Sequence, residues 1–219
     1  MTPPPRIAPS ILSADFARLG AQVAEVVDAG ATVIHVDVMD GHFVPPLSMG
    51  PQVVEALRGL DGVTLDVHLM VERPERHVEA FAKAGAHTIT VHAEATPHVD
   101  YVVNAIREAG CTPGVAVCPS TPPDVFGQVD PELALCMTVN PGWGGQPFIE
   151  AMLAKVRRVR EIVGEDVDIE VDGGIDPVTA AHCRDAGASL FVAGSFIFGA
   201  ADPARAYAEL AAAVGANSL

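Results

Sequence analysis

The chain has 219 residues and 22.7 kDa, enough for one large domain. Apolar types make up 49% against 19% charged, which excludes disorder. Lys and Arg total 13 against 28 Asp and Glu, a net charge of −15 that repels phosphate backbones; with no local basic patch, nucleic acid is not an expected partner.

No apolar run reaches the roughly 18 to 20 residues of a membrane span. The opening Met1-Thr2-Pro3-Pro4-Pro5-Arg6 lacks the basic-then-apolar order of a secretory signal, so a cytoplasmic protein is expected. Cys111, Cys118, Cys136 and Cys183 show no C-x-x-C spacing and suit buried positions in a reducing compartment.

After a short Pro-rich lead-in at 1–5, runs rich in Val, Ile and Leu recur every 25 or so residues. They predict strands at 6–10, 32–39, 63–70, 88–92, 114–118, 134–140, 167–172 and 190–194. The Ala-rich stretches between them predict helices at 15–29, 51–60, 74–84, 96–109, 122–127, 148–163, 177–186 and 203–214. Four of these helices should close on an Ala-Gly step, at Gly30, Gly85, Gly110 and Gly187, and Pro74, Pro177 and Pro203 suit first helical turns. Eight strand–helix pairs imply a parallel sheet, and the count of eight allows it to close into a single-domain (β/α)8 TIM barrel spanning 1–219. An open doubly wound sheet is the alternative; against it, the first strand–helix junction, residues 8–13, lacks a glycine-rich dinucleotide turn.

A barrel carries its active site at the C-terminal ends of its strands, so polar residues aimed inward there are informative. With a side-chain period of two, His35, Asp37 and Met39 share one face of the second strand, His68 and Met70 lie near the end of the third, and Asp172 ends the seventh. His35, Asp37, His68 and Asp172 make a mixed nitrogen and oxygen set able to hold one divalent metal ion such as Zn²⁺, Fe²⁺, Mn²⁺ or Co²⁺. Without a cation, the same group would bury two carboxylates among imidazoles at several kcal/mol per unpaired charge, roughly. His92 and Asp66 either support these ligands or bond to backbone. His77, His87, His98 and His182 are given no role.

Three glycine-rich turns follow late strands, at Gly142, Trp143, Gly144 and Gly145, at Gly173 and Gly174, and at Gly194 and Ser195. Glycine there lets backbone N–H groups approach an anion without Lys or Arg; a tight connection explains any one of them equally well. Ser10 can bond a substrate oxygen or cap a helix, and Met39, Met70 and Met137 can plug the core or wall the site.

These motifs resemble the ribulose-phosphate 3-epimerase family over residues 7 to 199. The resemblance rests on residues 7–16 (IAPSILSADF), 35–41 (HVDVMDG), 65–70 (LDVHLM), 137–142 (MTVNPG) and 170–175 (EVDGGI). It implies a metal held by His35, Asp37, His68 and Asp172, proton transfer by Asp37 and Asp172, and a phosphate held at Gly142 to Gly145, Gly173, Gly174, Gly194 and Ser195. Ser10 and His68 would also touch substrate. The implied reaction interconverts D-ribulose 5-phosphate and D-xylulose 5-phosphate through a 2,3-enediolate, in the pentose phosphate pathway. Another phosphoketose such as allulose 6-phosphate, or a non-catalytic phosphosugar-binding barrel, are the rival expectations. The expected partners are a small-molecule sugar phosphate and further copies of the chain in a homo-oligomer. Trp143 stands where the family more often has phenylalanine, and Cys118-Pro119-Ser120 where it more usually has Asn-Pro-Ala.

Overall fold

Alternation along each strand divides its apolar residues between two cores. The computed structural model describes residues 2–216. In it β1 (Arg6–Pro9), β2 (Val33–Met39), β3 (Thr64–Met70), β4 (Thr88–His92), β5 (Thr112–Val117), β6 (Leu133–Met137), β7 (Asp168–Asp172) and β8 (Leu190–Ala193) form one parallel sheet in the order β1-β8-β7-β6-β5-β4-β3-β2. Ile34, Val36 and Val38 join the outer core against the helices, with Leu65, Val67, Leu69, Val115, Val171 and Phe191 from other strands. Ala8, Val33, Ala116, Leu133, Leu135, Leu190 and Val192 pack as a second, inner core. Strands buried on both faces in this way belong to parallel sheets covered by helices.

The remaining edges, β1 and β2, meet at one parallel bridge between Ser10 and His35. Every other neighbouring pair shares a multi-residue ladder, so the barrel closes at its thinnest seam beside Ser10. The register across β2 and β3 sets His35 opposite Asp66, Asp37 opposite His68 and Met39 opposite Met70.

The helices are α1 (Leu19–Asp28), α2 (Pro51–Leu57), α3 (Val78–Ala84), α4 (Val99–Glu108), α5 (Phe126–Val129), α6 (Met152–Val163), α7 (Pro177–Ala186), α8 (Ser195–Phe198) and α9 (Pro203–Val214). Several predicted starts fall late, for local reasons. Asp15 accepts from the Ala17 N–H and opens a 3-10 turn at Phe16–Arg18 before α1. Pro74 opens a 3-10 turn at Pro74–Arg76 rather than α3 itself, and Pro123–Val125 does the same before α5. Residues 138–151 form the mouth loop before α6, where the Thr138 N–H and hydroxyl both donate to the Asp172 carbonyl. The short α8, inside a stretch expected to be loop, was not predicted. The Ala-Gly joints behave as expected: Gly85 and Gly187 are left-handed, and their N–H groups return to α3 and α7. Asp176 caps α7 through a reciprocal pair with Thr179. Among the described residues, no helix is long and apolar enough to cross a membrane.

Gly114 in β5 marks a place where two strands crowd each other. A Cβ there would lie 2.1 Å from Thr90 Oγ1 and 2.9 Å from Thr90 Cβ. Gly114→Ala should therefore destabilise the protein by about 1–3 kcal/mol through overpacking, lowering the thermal midpoint by about 2–4 °C for each kcal/mol. Denaturant unfolding checks this, and an unchanged midpoint would mean that Thr90 moves freely.

Candidate active site

Three strands deliver the polar groups to the lumen of the barrel. His35 and Asp37 come from β2, Asp66 and His68 from β3, and Glu170 and Asp172 from β7, while Ser10 arrives from the seam after β1. His35 turns Nδ1 to Asp66 Oδ2 at 2.7 Å, so its Nε2 faces Asp37 Oδ1 at 3.3 Å. That Nε2 is buried and makes no hydrogen bond. His68 Nδ1 lies 3.2 Å from Asp37 Oδ1 and 3.9 Å from Asp172 Oδ2, and Ser10 Oγ donates to Asp37 Oδ2 at 2.5 Å.

One ligand atom from each of His35, Asp37, His68 and Asp172 lies within 4.8 Å of all the others. Two imidazole nitrogens and two carboxylate oxygens suit a borderline divalent ion, and the orphaned His35 Nε2 points into the space they surround. The donor set therefore fits one metal ion. Asp66 supports His35 from behind, as a carboxylate does for a ligating imidazole.

The electrostatics separate the two aspartates. Burial works against charge on Asp37, but His35 and His68 outweigh it and hold the carboxyl far below the usual range. For Asp172 the histidine support is weaker: burial and the nearby Asp37 charge outweigh His35 and push it from 3.8 up to about 7. His35 is raised well above its ordinary value because Asp37 and Asp66 together overcome its burial, whereas burial lowers His68.

Sequence reasoning missed Glu170. It is fully buried, 3.3 Å from His35 Nδ1, and raised well above an ordinary carboxylic acid by burial and by Asp66. The period-two count that singles out Asp172 also turns Glu170 inward one step deeper. Of the histidines given no role, His87 accepts the Leu65 N–H at 2.9 Å.

Above the histidines opens a cleft lined by Ser10, Asp37 and Asp172 and walled by Met39, Met70 and Met137. All three expected glycine turns rim it: Gly142, Trp143, Gly144 and Gly145, then Gly173 and Gly174, then Gly194 and Ser195. His35 and His68 lie beneath, with no exposed surface. The turn after β7 tolerates no side chain. Gly173 has φ +117° and Gly174 φ +65°, and a Cβ would meet Val139 Cγ2 at 2.3 Å or the Phe148 N at 2.7 Å. Among the described residues, no Lys or Arg lines the cleft. Trp143 is half exposed at its lip, beside a shallower apolar groove that includes Phe16 and Leu47.

The raised Asp172 has a measurable consequence. Between about pH 4 and 7 the folded metal-free chain binds a proton at Asp172 that the unfolded chain has released, so this group's contribution to stability falls as pH rises through that window. Asp172→Asn should therefore gain stability over the parent at about pH 8 relative to its position at about pH 5. Denaturant midpoints of both metal-free proteins check this; equal differences at the two pH values would make Asp172 an ordinary carboxylate.

The model of the ribulose-phosphate 3 epimerase family matches residues 6–198. The ribulose-phosphate 3-epimerase of Bacillus subtilis (strain 168) is 49% identical over 211 residues, covering 94% of this chain and 97% of that one. The ribulose-phosphate 3-epimerase of Synechocystis sp. (strain ATCC 27184 / PCC 6803 / Kazusa) is 51% identical over 209 residues, covering 92% and 91%. Among solved structures, 3-hexulose-6-phosphate synthase aligns with a TM-score of 0.72 at 22% identity over 95% of this chain and 98% of that one. KGPDC from Streptococcus mutans in complex with D-R5P aligns at 0.76 and 18% identity over 96% and 97%. At these identities the two structures bear on the barrel fold alone.

Proposed function

The chain belongs to the ribulose-phosphate 3-epimerase family, and from that premise we propose that it interconverts D-ribulose 5-phosphate and D-xylulose 5-phosphate by proton transfer between two aspartates, with one divalent metal ion required. The observation that carries the proposal is the convergence of Asp37 and Asp172 on one cleft, in a set with His35 and His68 whose ligand atoms all lie within 4.8 Å of one another. Two carboxyl groups at one reacting carbon can serve as base and acid.

Inverting C3 next to the C2 ketone requires removal of a proton, stabilisation of the resulting 2,3-enediolate, and return of a proton to the opposite face. Asp37 takes the C3 proton of ribulose 5-phosphate, and Asp172 delivers one from the other side. In the reverse direction the roles exchange. Ser10 Oγ and the two imidazoles keep Asp37 oriented while it changes charge. His35, Asp37, His68 and Asp172 would hold the metal ion, which when bound supplies Lewis acidity toward the C2 and C3 oxygens.

The other half of the cleft suits the phosphate. The glycine turns at Gly142 to Gly145, Gly173 and Gly174, and Gly194 with Ser195, let backbone N–H groups come close to an anion. Met39, Met70 and Met137 form a polarizable wall that keeps water from the enediolate. Ser10, on the cleft wall, contacts the sugar oxygens; His68, expected to do so as well, lies beneath the cleft with no exposed surface and would serve as a metal ligand alone. As a metabolic enzyme acting on a sugar phosphate, the protein would work in the cytoplasm as a homo-oligomer.

Asp37→Asn and Asp172→Asn should each lower turnover by about 10²–10⁴-fold, with effects that do not add because each group serves both as ligand and as proton carrier. In D₂O, xylulose 5-phosphate formed from unlabelled ribulose 5-phosphate should carry deuterium at C3. Product without that label would refute the two-aspartate route. Assay with allulose 6-phosphate alongside separates the pentose preference from the rival substrate, and binding of both without turnover would point to a non-catalytic barrel. Chelation should abolish activity, and added Co²⁺ or Zn²⁺ should restore it; activity that survives complete metal removal would overturn the metal requirement.

A further inference from the structure

The turn after β1 carries two serines, and the proposed reaction uses only the first. Ser10 caps the 3-10 turn Ile11–Ser13 and turns its hydroxyl to Asp37, at the carboxylate end of the cleft. Ser13 closes the same turn and lines the same cleft. Its Oγ lies 2.7 Å from the position that a Cβ would take on Gly194 and 3.6 Å from the one on Gly144, so it stands between the glycine turns that follow β6 and β8. A side chain at Gly194 would collide with that hydroxyl. Among the described residues no group bonds to the Ser13 side chain, although it is half-buried. The larger of the two turns is braced from within: Gln146 Nε2 donates to the Asn140 and Trp143 carbonyls at 2.6 and 3.0 Å.

We propose that Ser13 is a phosphate-binding residue whose hydroxyl donates to the substrate phosphate between the two glycine turns. A serine in a short turn ordinarily caps it, but that role is filled by Ser10, whose Oγ accepts the Leu12 N–H at 3.4 Å. The Ser13 hydroxyl is left for a ligand. A phosphate dianion only accepts, and a hydroxyl rotates to present its proton wherever the acceptor lies. With no lysine or arginine lining the cleft among the described residues, a neutral donor at this place carries more of the binding, and a hydrogen bond to a charged acceptor is about twice as strong as one between neutral groups. One short turn thereby holds the substrate at both ends, the sugar through Ser10 and the phosphate through Ser13.

The inference rests on the proposed function in taking phosphate as the ligand of this end, and binding of inorganic phosphate tests it without turnover. Trp143, the only tryptophan, stands in one of the two turns, so its fluorescence reports occupancy. Ser13→Ala should raise the Kd of inorganic phosphate by about 10–100-fold, and Ser13→Thr, which keeps the hydroxyl, should stay within about threefold of the parent. In Ser13→Ala the KM for D-ribulose 5-phosphate should rise in step while kcat stays within about threefold, because substrate and transition state carry the same phosphate. An unchanged phosphate Kd in Ser13→Ala overturns the proposal, and so do equal losses of kcat/KM on D-ribulose 5-phosphate and on phosphate-free D-ribulose, which a merely structural defect would produce. If the variants fail to fold, crystals of the unsubstituted protein with inorganic phosphate decide: Ser13 Oγ should lie about 3 Å or less from a phosphate oxygen, and a hydroxyl out of hydrogen-bond reach overturns the proposal. Phosphate binding that depends on Ser13 in a protein without epimerase activity would remove the functional reading and leave the phosphate contact standing.

Discussion

A carboxylate with almost no exposed surface is costly unless its surroundings supply charge and hydrogen bonds, and Asp37 meets that condition from three sides. His35, His68 and Ser10 all aim at its two oxygens. None of these contacts is local except the one two residues away on the same strand. They require β2 and β3 in their observed register, and they require the barrel to close, because Ser10 reaches Asp37 only across the seam that its own bridge with His35 completes. The closure of the fold and the orientation of the proposed base are thus one event. A slip of one residue in β2 would turn His35, Asp37 and Met39 outward and Ile34, Val36 and Val38 inward, emptying the site and spoiling the outer core together.

Below Asp37 the charges alternate with depth. Asp66 and Glu170 lie against one nitrogen of His35, and Asp37 lies against the other. Two carboxylates beside one imidazole cannot both ionise cheaply in a dry interior; the shift of Glu170 toward its neutral form is how the fold accommodates them. This arrangement leaves the negative charge on Asp66 and Asp37, on opposite sides of His35, where it holds the ring in a single orientation. Rigidity here follows from charge balance and close burial.

The legible parts of the sequence are those governed by a short period. Alternation and strand-end position located six of the polar or thioether residues of the cleft and its floor, His35, Asp37, Met39, His68, Met70 and Asp172, because a strand buried on both faces rarely carries charged groups without a partner for them. The glycine turns at the mouth were visible for the same kind of reason: glycines grouped at strand ends, which in the structure are closed to any side chain at Gly173 and Gly174. Helix starts were less legible, since Asp15, Pro74 and Pro123 open 3-10 turns that share the signals of an α-helix N-terminus. Glu170 was legible in principle and passed over because it sits below the cleft. Ser13 was missed because a serine in a short turn reads as a local cap, and only tertiary geometry sets it between glycine turns from the far half of the chain.

The cleft divides into an end that discriminates and an end that holds. Both sugars of the proposed reaction carry the same phosphate, so tighter binding of it would stabilise substrate, transition state and product alike and would not raise turnover. That removes any need for a lysine or arginine, whose strong pairing with a dianion would slow product release. In the proposed reaction, neutral backbone donors at the glycine turns would hold the anion and let it go again, leaving the difference between substrate and transition state to Asp37 and Asp172 at the other end.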